Sequence, residues 1–395
     1  MPADVELPFS RDEYADRLRK VRESMVRREL DVLVVCDPSN MAWLTGYDGW
    51  SFYTPQAVIV SLDDDPVYWG RIIDINGARR TVWMDDTHIV GYPDHFVQNP
   101  GVHAMQHLAS TMTHRGSDGP WVGVEFDNYY YSAAAHHHLA ETLGHDRLYD
   151  ATGLVNWERA VKSPRELDYM RIAASIVESV YAAVRETLRP GIRKNDLVAE
   201  IYRAQVCGTG EHGGDYPAIV PLLPTGVDAS ASHLTWNDAP MELGAGTFFE
   251  LAGCYRRYHA PLCRTAYLGE PPGEFTNAAA AAIDGLDAGI DAARAGNRAC
   301  DIANALTDTL RRAGIERDVR CGYPVGLSYP PDWGERTISL RSTDTTVLEP
   351  GMTFHFMPGI WMDDWGLEIT ETILITEDGP AERLCNVPRD LMIVT

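Results

Sequence analysis

The sequence predicts an α/β (α+β) protein built from two domains, and three observations support this prediction. First, the 395 residues exceed the length of one ordinary domain. Second, short apolar segments alternate with helical ones over residues 1–158, which is typical of an α/β domain. Third, a capped helix start near residue 163 opens a region with its own order of helices and strands. We therefore place the domains at residues 1–158 and 159–395.

The N-terminal domain alternates between period-two and helical patterns. Its first predicted strand is followed by Asp37-Pro38-Ser39-Asn40, a cluster typical of a turn. The predicted helices cover residues 10–28, 103–112 and 132–143, and the predicted strands cover 30–36, 57–61, 66–69 and 121–125.

The C-terminal domain opens with a capping-box pattern. Ser163 precedes Pro164, and Glu166 follows three residues after the serine, so each polar side chain can bond the other's backbone N–H. The long amphipathic helix that follows stops at Pro190-Gly191. Beyond it we predict a helix at 194–207, a strand-rich region to 268, helices at 274–295 and 301–313, and strands at 353–357 and 367–376.

Composition and charge limit the possible partners. Hydrophobic residues make up 45% and charged residues 23%, which is typical of a globular protein with a core. The formal charge of -23 disfavours nucleic acid and anionic membranes as partners. The N-terminus lacks the basic and apolar regions of a secretory signal. The seven cysteines include no C-x-x-C pair, so we expect a cytoplasmic protein without disulfides.

Several separated segments resemble the creatinase/prolidase/methionine-aminopeptidase superfamily. They are RAVKSPRELDYMRIA (159–173), Arg264-Thr265 at the end of a D-x-T-R-T-like strand, LEPGMT (348–353) and LEITETILITEDG (367–379). The resemblance implies a creatinase-like N-terminal α/β domain followed by a C-terminal catalytic domain of the pita-bread fold. Creatinase-like proteins form dimers in which the N-terminal domain of one subunit can close the partner's site, so the resemblance also implies a homodimer.

The metal ligands of that superfamily are replaced in this sequence. Metal-dependent members use two Asp, one His and two Glu, and the matching positions hold Glu250, Pro261, Tyr323, Met357 and Thr370. Divalent ions need several oxygen, nitrogen or sulfur ligands, so the resemblance predicts neither a metal nor another cofactor. Creatinase itself is a metal-free member, and the replacements therefore leave catalysis possible.

A closer resemblance, nearly end to end, is to bacterial ectoine hydrolases. It rests on DPSNMAWLTGYDGWSFY (37–53), GGDYPAIVPLLPTG (213–226), YHAPLCRT (258–265) and GYPVGLSYPPDWGERT (322–337). This resemblance implies that a small molecule, ectoine or hydroxyectoine, is the substrate. The cyclic amidine would be opened to N-acetyl-L-2,4-diaminobutyrate in compatible-solute catabolism.

Three residues are the candidate catalytic groups. Glu250 lies in the apolar strand FFELAG, where burial raises the pKa of a carboxyl group, and it is the candidate nucleophile or base. His233 aligns with the proton-shuttling histidine of creatinase. Glu368 lies two residues before Thr370 and so shares its strand face, unlike Glu371. A structural ion pair, of Glu250 with Arg256 or Arg257 for example, is the alternative for each carboxylate.

The candidate substrate contacts lie in two strands and a loop. Tyr258 and His259 are neighbours in a strand, so only one of them points into the cavity, and His259 is preferred. Tyr323 stands in the position of the metal-binding histidine, with packing as its alternative. The proline-rich loop 328–336 contributes Asp332, Trp333 and Arg336, with Arg336 as the partner of a substrate carboxylate.

Aromatic side chains complete the set of candidates. Trp365 and the N-terminal cluster Tyr47, Trp50 and Phe52 could surround a cationic ring, although core packing is the favoured alternative for the cluster. Three other functions compete: a creatinase-like amidinohydrolase on another small substrate, a metal-dependent Xaa-Pro dipeptidase or aminopeptidase, and a degenerate scaffold used for binding, as in some histone chaperones.

Overall fold

A computed structural model of the protein describes residues 5–317 and 319–395, which form two compact units. One unit ends at Arg159 and the other runs from Ala160 to Thr395. None of the helices in the described ranges is both long and apolar enough to cross a membrane. The helices are α1 (Arg11–Arg27), α2 (Pro38–Thr45), α3 (Ile75–Thr81), α4 (Ala104–His114), α5 (Ala133–Leu143), α6 (Leu154–Glu158), α7 (Pro164–Thr187), α8 (Lys194–Cys207), α9 (Gly273–Ala292) and α10 (Ala299–Arg312).

The N-terminal unit contains a six-stranded mixed sheet. In β1, Val32 and Val34 pack into one hydrophobic core, while Leu33 and Val35 pack into a second core on the other face. Burial on both faces explains why this strand is a continuous apolar run. The strands are β1 (Val32–Val35), β2 (Ala57–Ser61), β3 (Val67–Arg71), β4 (Ile89–Tyr92), β5 (Val122–Val124) and β6 (Leu148–Asp150), in the order β4-β3-β2-β1-β5-β6.

The predicted turn after β1 is in fact the start of α2. The Asp37 side chain accepts a hydrogen bond from the backbone N–H of Ser39, and Pro38 occupies the first turn of the helix. Asp, Pro and Ser are common in turns and at helix starts alike, so composition alone did not separate the two. The buried Glu125 carboxylate accepts the N–H groups of Cys36 and Asp37 and further anchors this start.

The C-terminal unit has a long hairpin packed against a long helix. The capping box of α7 is confirmed, because Ser163 and Glu166 bond each other's backbone N–H. Helix α7 packs on the hairpin so closely that a Cβ at Gly253 would overlap the carbonyl of Ala173. The remaining strands are β7 (Ala245–Tyr255), β8 (Tyr258–Leu268), β9 (Gly322–Pro324), β10 (Thr353–Phe356), β11 (Gly359–Trp361), β12 (Gly366–Glu368), β13 (Glu371–Leu374), β14 (Glu382–Arg383) and β15 (Met392–Val394).

The last predicted strand, 367–376, divides into two strands that belong to different sheets. Strand β12 pairs with β11, whereas β13 lies in the sheet β14-β13-β10-β9. The break falls at Thr370, whose hydroxyl oxygen accepts the backbone N–H of Cys263 on β8 at 2.7 Å. Glu368 and Glu371 therefore lie on opposite sides of a break, in different surroundings.

Candidate functional site

A cavity of about 690 Å³ lies within the C-terminal unit. Strand β7, the end of β12 and the loops before β7 and β9 form its walls. Its volume falls in the range of small-molecule sites. The lining residues are Ile219, Val220, Leu222, Ser232, His233, Thr235, Glu250, Arg317, Val319, Arg320, Gly322, Tyr323, Pro331, Asp332, Met357, Trp361 and Glu368.

Two buried carboxylates face this cavity. Glu250 projects from the middle of β7 and is 4% exposed, and Glu368 ends β12 and is 1% exposed. Oε1 of Glu368 has no hydrogen-bond partner among the described residues. Within the described residues, Glu250 forms no ion pair with Arg256 or Arg257, the structural alternative. Arg257 stacks on the Tyr216 ring at 3.7 Å, and Arg256 lies 5.9 Å from the Tyr169 ring.

Both carboxyl groups bind a proton more tightly than usual. Burial raises the pKa of Glu250 well above its usual range, and the negative charges of Glu368 and Asp332 raise it further. Burial also raises the pKa of Glu368 to about 7, although the Cys263 thiol and the Arg317 charge hold it down. The pair therefore retains a proton near neutral pH.

A chain of hydrogen bonds lies beside Glu250. The hydroxyl of Tyr323 accepts the indole N–H of Trp333 at 2.9 Å and lies 3.3 Å from Nδ1 of His355. Nε2 of His355 lies 2.7 Å from the hydroxyl oxygen of Thr370. Burial lowers the pKa of His355 to about 3, so its imidazole is neutral. His355 was not among the predicted residues, although its place two residues before Met357 on one strand put it on the same face.

The five positions that hold metal in the superfamily do not fit divalent ions here. Pro261 has no donor atom, and the hydroxyls of Tyr323 and Thr370 are engaged with His355. Met357 offers only a thioether, which is a poor ligand for a hard cation. Within residues 5–317 and 319–395, no group of three or more His, Cys, Asp or Glu side chains is arranged to hold a metal ion.

His233 and Asp332 both line the cavity. His233 follows the short helical turn at Gly226–Ser230 and is exposed at the cavity wall. Asp332 is half-buried, and its Oδ1 accepts the backbone N–H of Gly334 at 2.9 Å, which fixes the carboxylate in the loop.

Tyr258 and His259 are not among the described residues that line the cavity. The hydroxyl of Tyr258 donates to Oε1 of Glu166 at 2.7 Å. Both ring nitrogens of His259 are satisfied: Nε2 accepts the N–H of Ala218 at 2.8 Å, and Nδ1 donates to the carbonyl of Arg257 at 2.9 Å. Each side chain is fully buried and bonds groups of the protein, so the predicted contacts of Tyr258 and His259 with a substrate are not supported by the cavity lining.

Three further candidates also lie outside the described cavity lining. Trp333 is fully buried behind Tyr323, so it orients the tyrosine without reaching the cavity. Arg336 is exposed, because the loop turns outward after the buried Glu335. Trp365 donates its indole N–H to Glu274 at 3.0 Å on the outer surface.

Arg317, Arg320 and Trp361 line the cavity and were not predicted. The guanidinium of Arg317 donates hydrogen bonds to backbone carbonyls, among them those of Gly359 and Met357. Arg320 is exposed and lies over the Tyr323 ring at 4.9 Å. The indole N–H of Trp361 is buried without a hydrogen-bond partner in the described chain. Pairing of Trp361 with Gly366 across β11 and β12 decides that Trp361, not Trp365, faces inward.

The N-terminal aromatic cluster lies in the other unit. Trp50 is 57% exposed and packs on Phe52 with ring centroids 4.8 Å apart. Phe52 contacts Tyr130 edge to face at 5.7 Å. Tyr47 is buried and bonds Ser51 through its hydroxyl, so it belongs to the core of that unit.

Comparison with known proteins identifies relatives over nearly the whole chain. An ectoine hydrolase of Halomonas elongata is 57% identical over 396 residues, covering 98% of this chain and 99% of that protein. The crystal structure of dipeptidase PepE from Mycobacterium ulcerans superposes with a TM-score of 0.81 at 23% identity, covering 98% of this chain and 99% of that one. Recombinant prolidase from Thermococcus sibiricus gives a TM-score of 0.82 at 16% identity, covering 96% and 99%.

These structural likenesses confirm the predicted fold, an N-terminal creatinase-like domain followed by a pita-bread domain. The model of the creatinase/prolidase N-terminal domain matches residues 17–161, and the model of metallopeptidase family M24 matches residues 168–377. This protein therefore belongs to metallopeptidase family M24, with the N-terminal domain of the creatinases and prolidases.

Proposed function

We propose that this protein hydrolyses ectoine to N-acetyl-L-2,4-diaminobutyrate without a metal ion. The observation that carries the proposal is the pair of buried carboxylates, Glu250 and Glu368, which face a small cavity, with no lysine or arginine of the described residues bonded to either. Burying carboxylates without a cation costs stability, and a cationic ligand offsets that cost when it binds. The ectoine hydrolase relative, at 57% identity, supports the choice of an amidinium as that cation.

The cavity offers complementary groups to both ends of such a substrate. In this proposal the amidinium lies between the carboxylates of Glu250, Glu368 and Asp332 and donates charge-assisted hydrogen bonds to them. Arg320 takes the substrate carboxylate, because its guanidinium lines the cavity while the donors of Arg317 are occupied by the backbone. The buried N–H of Trp361 is available as a further donor to the ligand.

Ring opening consumes one water molecule and breaks one carbon–nitrogen bond. Glu250, in its ionised form, either takes a proton from the water that attacks the amidine carbon or attacks that carbon itself. In the second case water then attacks the same carbon and releases the Glu250 carboxylate. In both cases the water oxygen becomes the acetyl carbonyl oxygen. The leaving nitrogen takes a proton from His233 and departs as an amine, while the other nitrogen keeps the acetyl group.

The remaining features of the proposal rest on the family resemblance. We propose a cytoplasmic homodimer in which Trp50 and Phe52 supply aromatic contacts to the cationic ring. Analytical ultracentrifugation measures the oligomeric state, and a Trp50→Ala variant measures the aromatic contribution through its KM for ectoine.

Mass spectrometry of a chelator-treated sample tests the activity. Protein treated with a chelator and incubated with ectoine should yield a product heavier by one water, and Glu250→Gln should yield none. Turnover that appears only after manganese or cobalt is added contradicts the metal-free mechanism. Turnover of creatine but not of ectoine favours the other amidinohydrolase function instead.

A further inference from the structure

We propose that His355 is a positioning residue that acts through its tautomer. Thr370 holds the imidazole with its hydrogen on Nδ1, and His355 and Trp333 together then make the Tyr323 hydroxyl a donor into the cavity. This inference deepens the proposed function, on which its catalytic part rests. The tautomer of His355 is a property of the protein without substrate and does not depend on the proposed function.

The hydroxyl of Thr370 determines the protonation of Nε2. Its oxygen accepts the backbone N–H of Cys263 at 2.7 Å, so one lone pair is used. In the described chain, the acceptor that lies within hydrogen-bond distance of this hydroxyl is Nε2 of His355, at 2.7 Å. The threonine hydrogen therefore goes to Nε2, which must carry a lone pair. A neutral imidazole has one N–H, and it is then on Nδ1.

The surroundings of Nδ1 agree with this assignment. Nδ1 faces two oxygen atoms, the Tyr323 hydroxyl at 3.3 Å and Oε1 of Glu250 at 3.9 Å. A hydrogen on Nδ1 is attracted to both oxygens. His355 is fully buried, so its ring N–H has to find its partner within the protein.

The Tyr323 hydroxyl is then left with a single role. It accepts from Nε1 of Trp333 at 2.9 Å and from Nδ1 of His355, which uses both of its lone pairs. Its own hydrogen has to be donated elsewhere, and Tyr323 lines the cavity together with Glu250. In ring opening this hydrogen faces the oxygen that has added to the amidine carbon, which takes partial negative charge as it loses its proton and becomes the acetyl carbonyl oxygen while the carbon–nitrogen bond breaks. A donor aligned in advance with a developing oxyanion stabilises the transition state more than the ground state.

Nitrogen-15 NMR of the free protein tests the tautomer directly. His355→Asn identifies the signals of His355 among the 13 histidines. We expect an N–H type shift for Nδ1 and an unprotonated shift for Nε2 in the wild type. In Thr370→Val the preference of the imidazole hydrogen for Nδ1 over Nε2 should be lost. An unprotonated Nδ1 in the wild type overturns the proposal, whatever the protein does with ectoine.

Kinetics with ectoine test the consequence for catalysis. Asparagine at 355 retains a donor near the position of Nδ1, while glutamine extends its amide toward the position of Nε2. We expect Thr370→Val and His355→Gln to lower kcat about 100-fold with little change in KM, and His355→Asn to lower it less. In a Tyr323→Phe background, Thr370→Val should have almost no further effect on kcat.

Three outcomes contradict the catalytic part of the inference. They are equal losses in His355→Asn and His355→Gln, an unchanged kcat in a folded Thr370→Val, and additive losses in the double variant. If a variant is unfolded by circular dichroism, the wild-type NMR result still decides the tautomer. If the wild type does not turn over ectoine, the proposed function is contradicted. The tautomer assignment is then still tested independently by NMR.

Discussion

Glu368 and Glu371 are three residues apart and both are buried, yet they belong to two different regions of the molecule. Glu371 lies in the region behind β8, where Arg264 donates to its Oε1 at 2.9 Å. Arg383 and Arg389 also lie within 4.0 Å of the same carboxylate oxygen. Glu368 lies in the cavity region. One oxygen of each carboxylate, Oε1 of Glu368 and Oε2 of Glu371, has no hydrogen-bond partner in the described chain, so the two differ in their arginines.

The difference shows how a structural carboxylate is distinguished from a functional one in this chain. Arg264 donates to four backbone carbonyls besides Glu371, so its guanidinium ties β8, β13 and the C-terminal segment together. Burial raises the pKa of Glu371, but its arginines oppose the shift. Among the described residues, no arginine or lysine forms an ion pair with Glu250 or Glu368, although the charge of Arg317 lowers the pKa of Glu368.

The loop 328–336 shows the same division on a smaller scale. Glu335 pairs with Lys162 at 2.5 Å, and both side chains are almost fully buried. Three residues earlier, Asp332 turns its carboxylate to the cavity wall. The carboxylate of Glu335 anchors the loop through its ion pair, whereas Asp332 lines the cavity and forms no ion pair within the described residues.

The largest expected effect is the loss of activity in Glu250→Gln. Removing the attacking or base carboxylate should lower kcat about 10⁴-fold or more. Stopped assays of product by mass spectrometry measure this loss. Glu371→Gln is the matched control, because it removes a buried carboxylate of the structural region and should retain most of the activity of the folded fraction.

The stability of the same variant relative to the wild type should increase as the pH rises. The folded-state pKa of Glu250 is raised, so the folded state holds more protons than the unfolded state above about pH 4.5, and the free energy of unfolding falls with increasing pH. Glutamine removes this dependence. We expect the Tm of Glu250→Gln to exceed that of the wild type by more at pH 8 than at pH 5, and a constant difference argues against a protonated Glu250.

The second largest effect is the destabilisation caused by Arg264→Met. It leaves the buried Glu371 and four carbonyls without their donor, and breaking a buried pair costs about 3–5 kcal/mol. Urea unfolding followed by circular dichroism measures the free energy. In Arg264→Met/Glu371→Met the loss should be smaller, because no charge is left unpaired. An equal or greater loss in the double variant contradicts the assignment of Glu371 as the compensated carboxylate.

A smaller effect on kcat/KM is expected when the pH is lowered through the pKa of Glu368. Glu368 takes up a proton through a pKa of about 7, and a neutral carboxyl group binds an amidinium less well. We expect kcat/KM for ectoine to fall at least tenfold per pH unit below about 7, since one group gives that slope. In Glu368→Gln the slope of log(kcat/KM) against pH should decrease by one. An unchanged slope assigns the titration to another group.

The smallest effect separates the two arginines proposed for the substrate carboxylate. Arg320→Gln should raise KM for ectoine about tenfold to thirtyfold, because a charge-assisted hydrogen bond contributes about 1.5–2 kcal/mol. Arg336→Gln is the matched control and should leave KM unchanged, since Arg336 is exposed outside the described cavity lining. A raised KM in Arg336→Gln with an unchanged KM in Arg320→Gln supports Arg336 instead, the residue predicted from the sequence to bind the substrate carboxylate.

Local sequence patterns predicted most of the fold but only part of the site. Capping residues fixed the start of α7, and apolar periodicity located β1, β2 and β5 to within a few residues. Glu250, Glu368 and Tyr323 were predicted on residues that resemble a superfamily motif, and they do line one cavity. Trp365 and Arg336 were predicted on residue type alone, and neither lies among the described lining residues.

The sequence by itself predicted the pita-bread fold and the replacement of the family's metal ligands, because ligand chemistry depends on residue type and residue type is read directly. Strand alternation also favoured Glu368 over Glu371. Only the tertiary structure showed that Trp361, not Trp365, lines the cavity, and that the strand breaks at Thr370, between the two glutamates. These are contacts between segments up to 107 residues apart, and no local pattern encodes them.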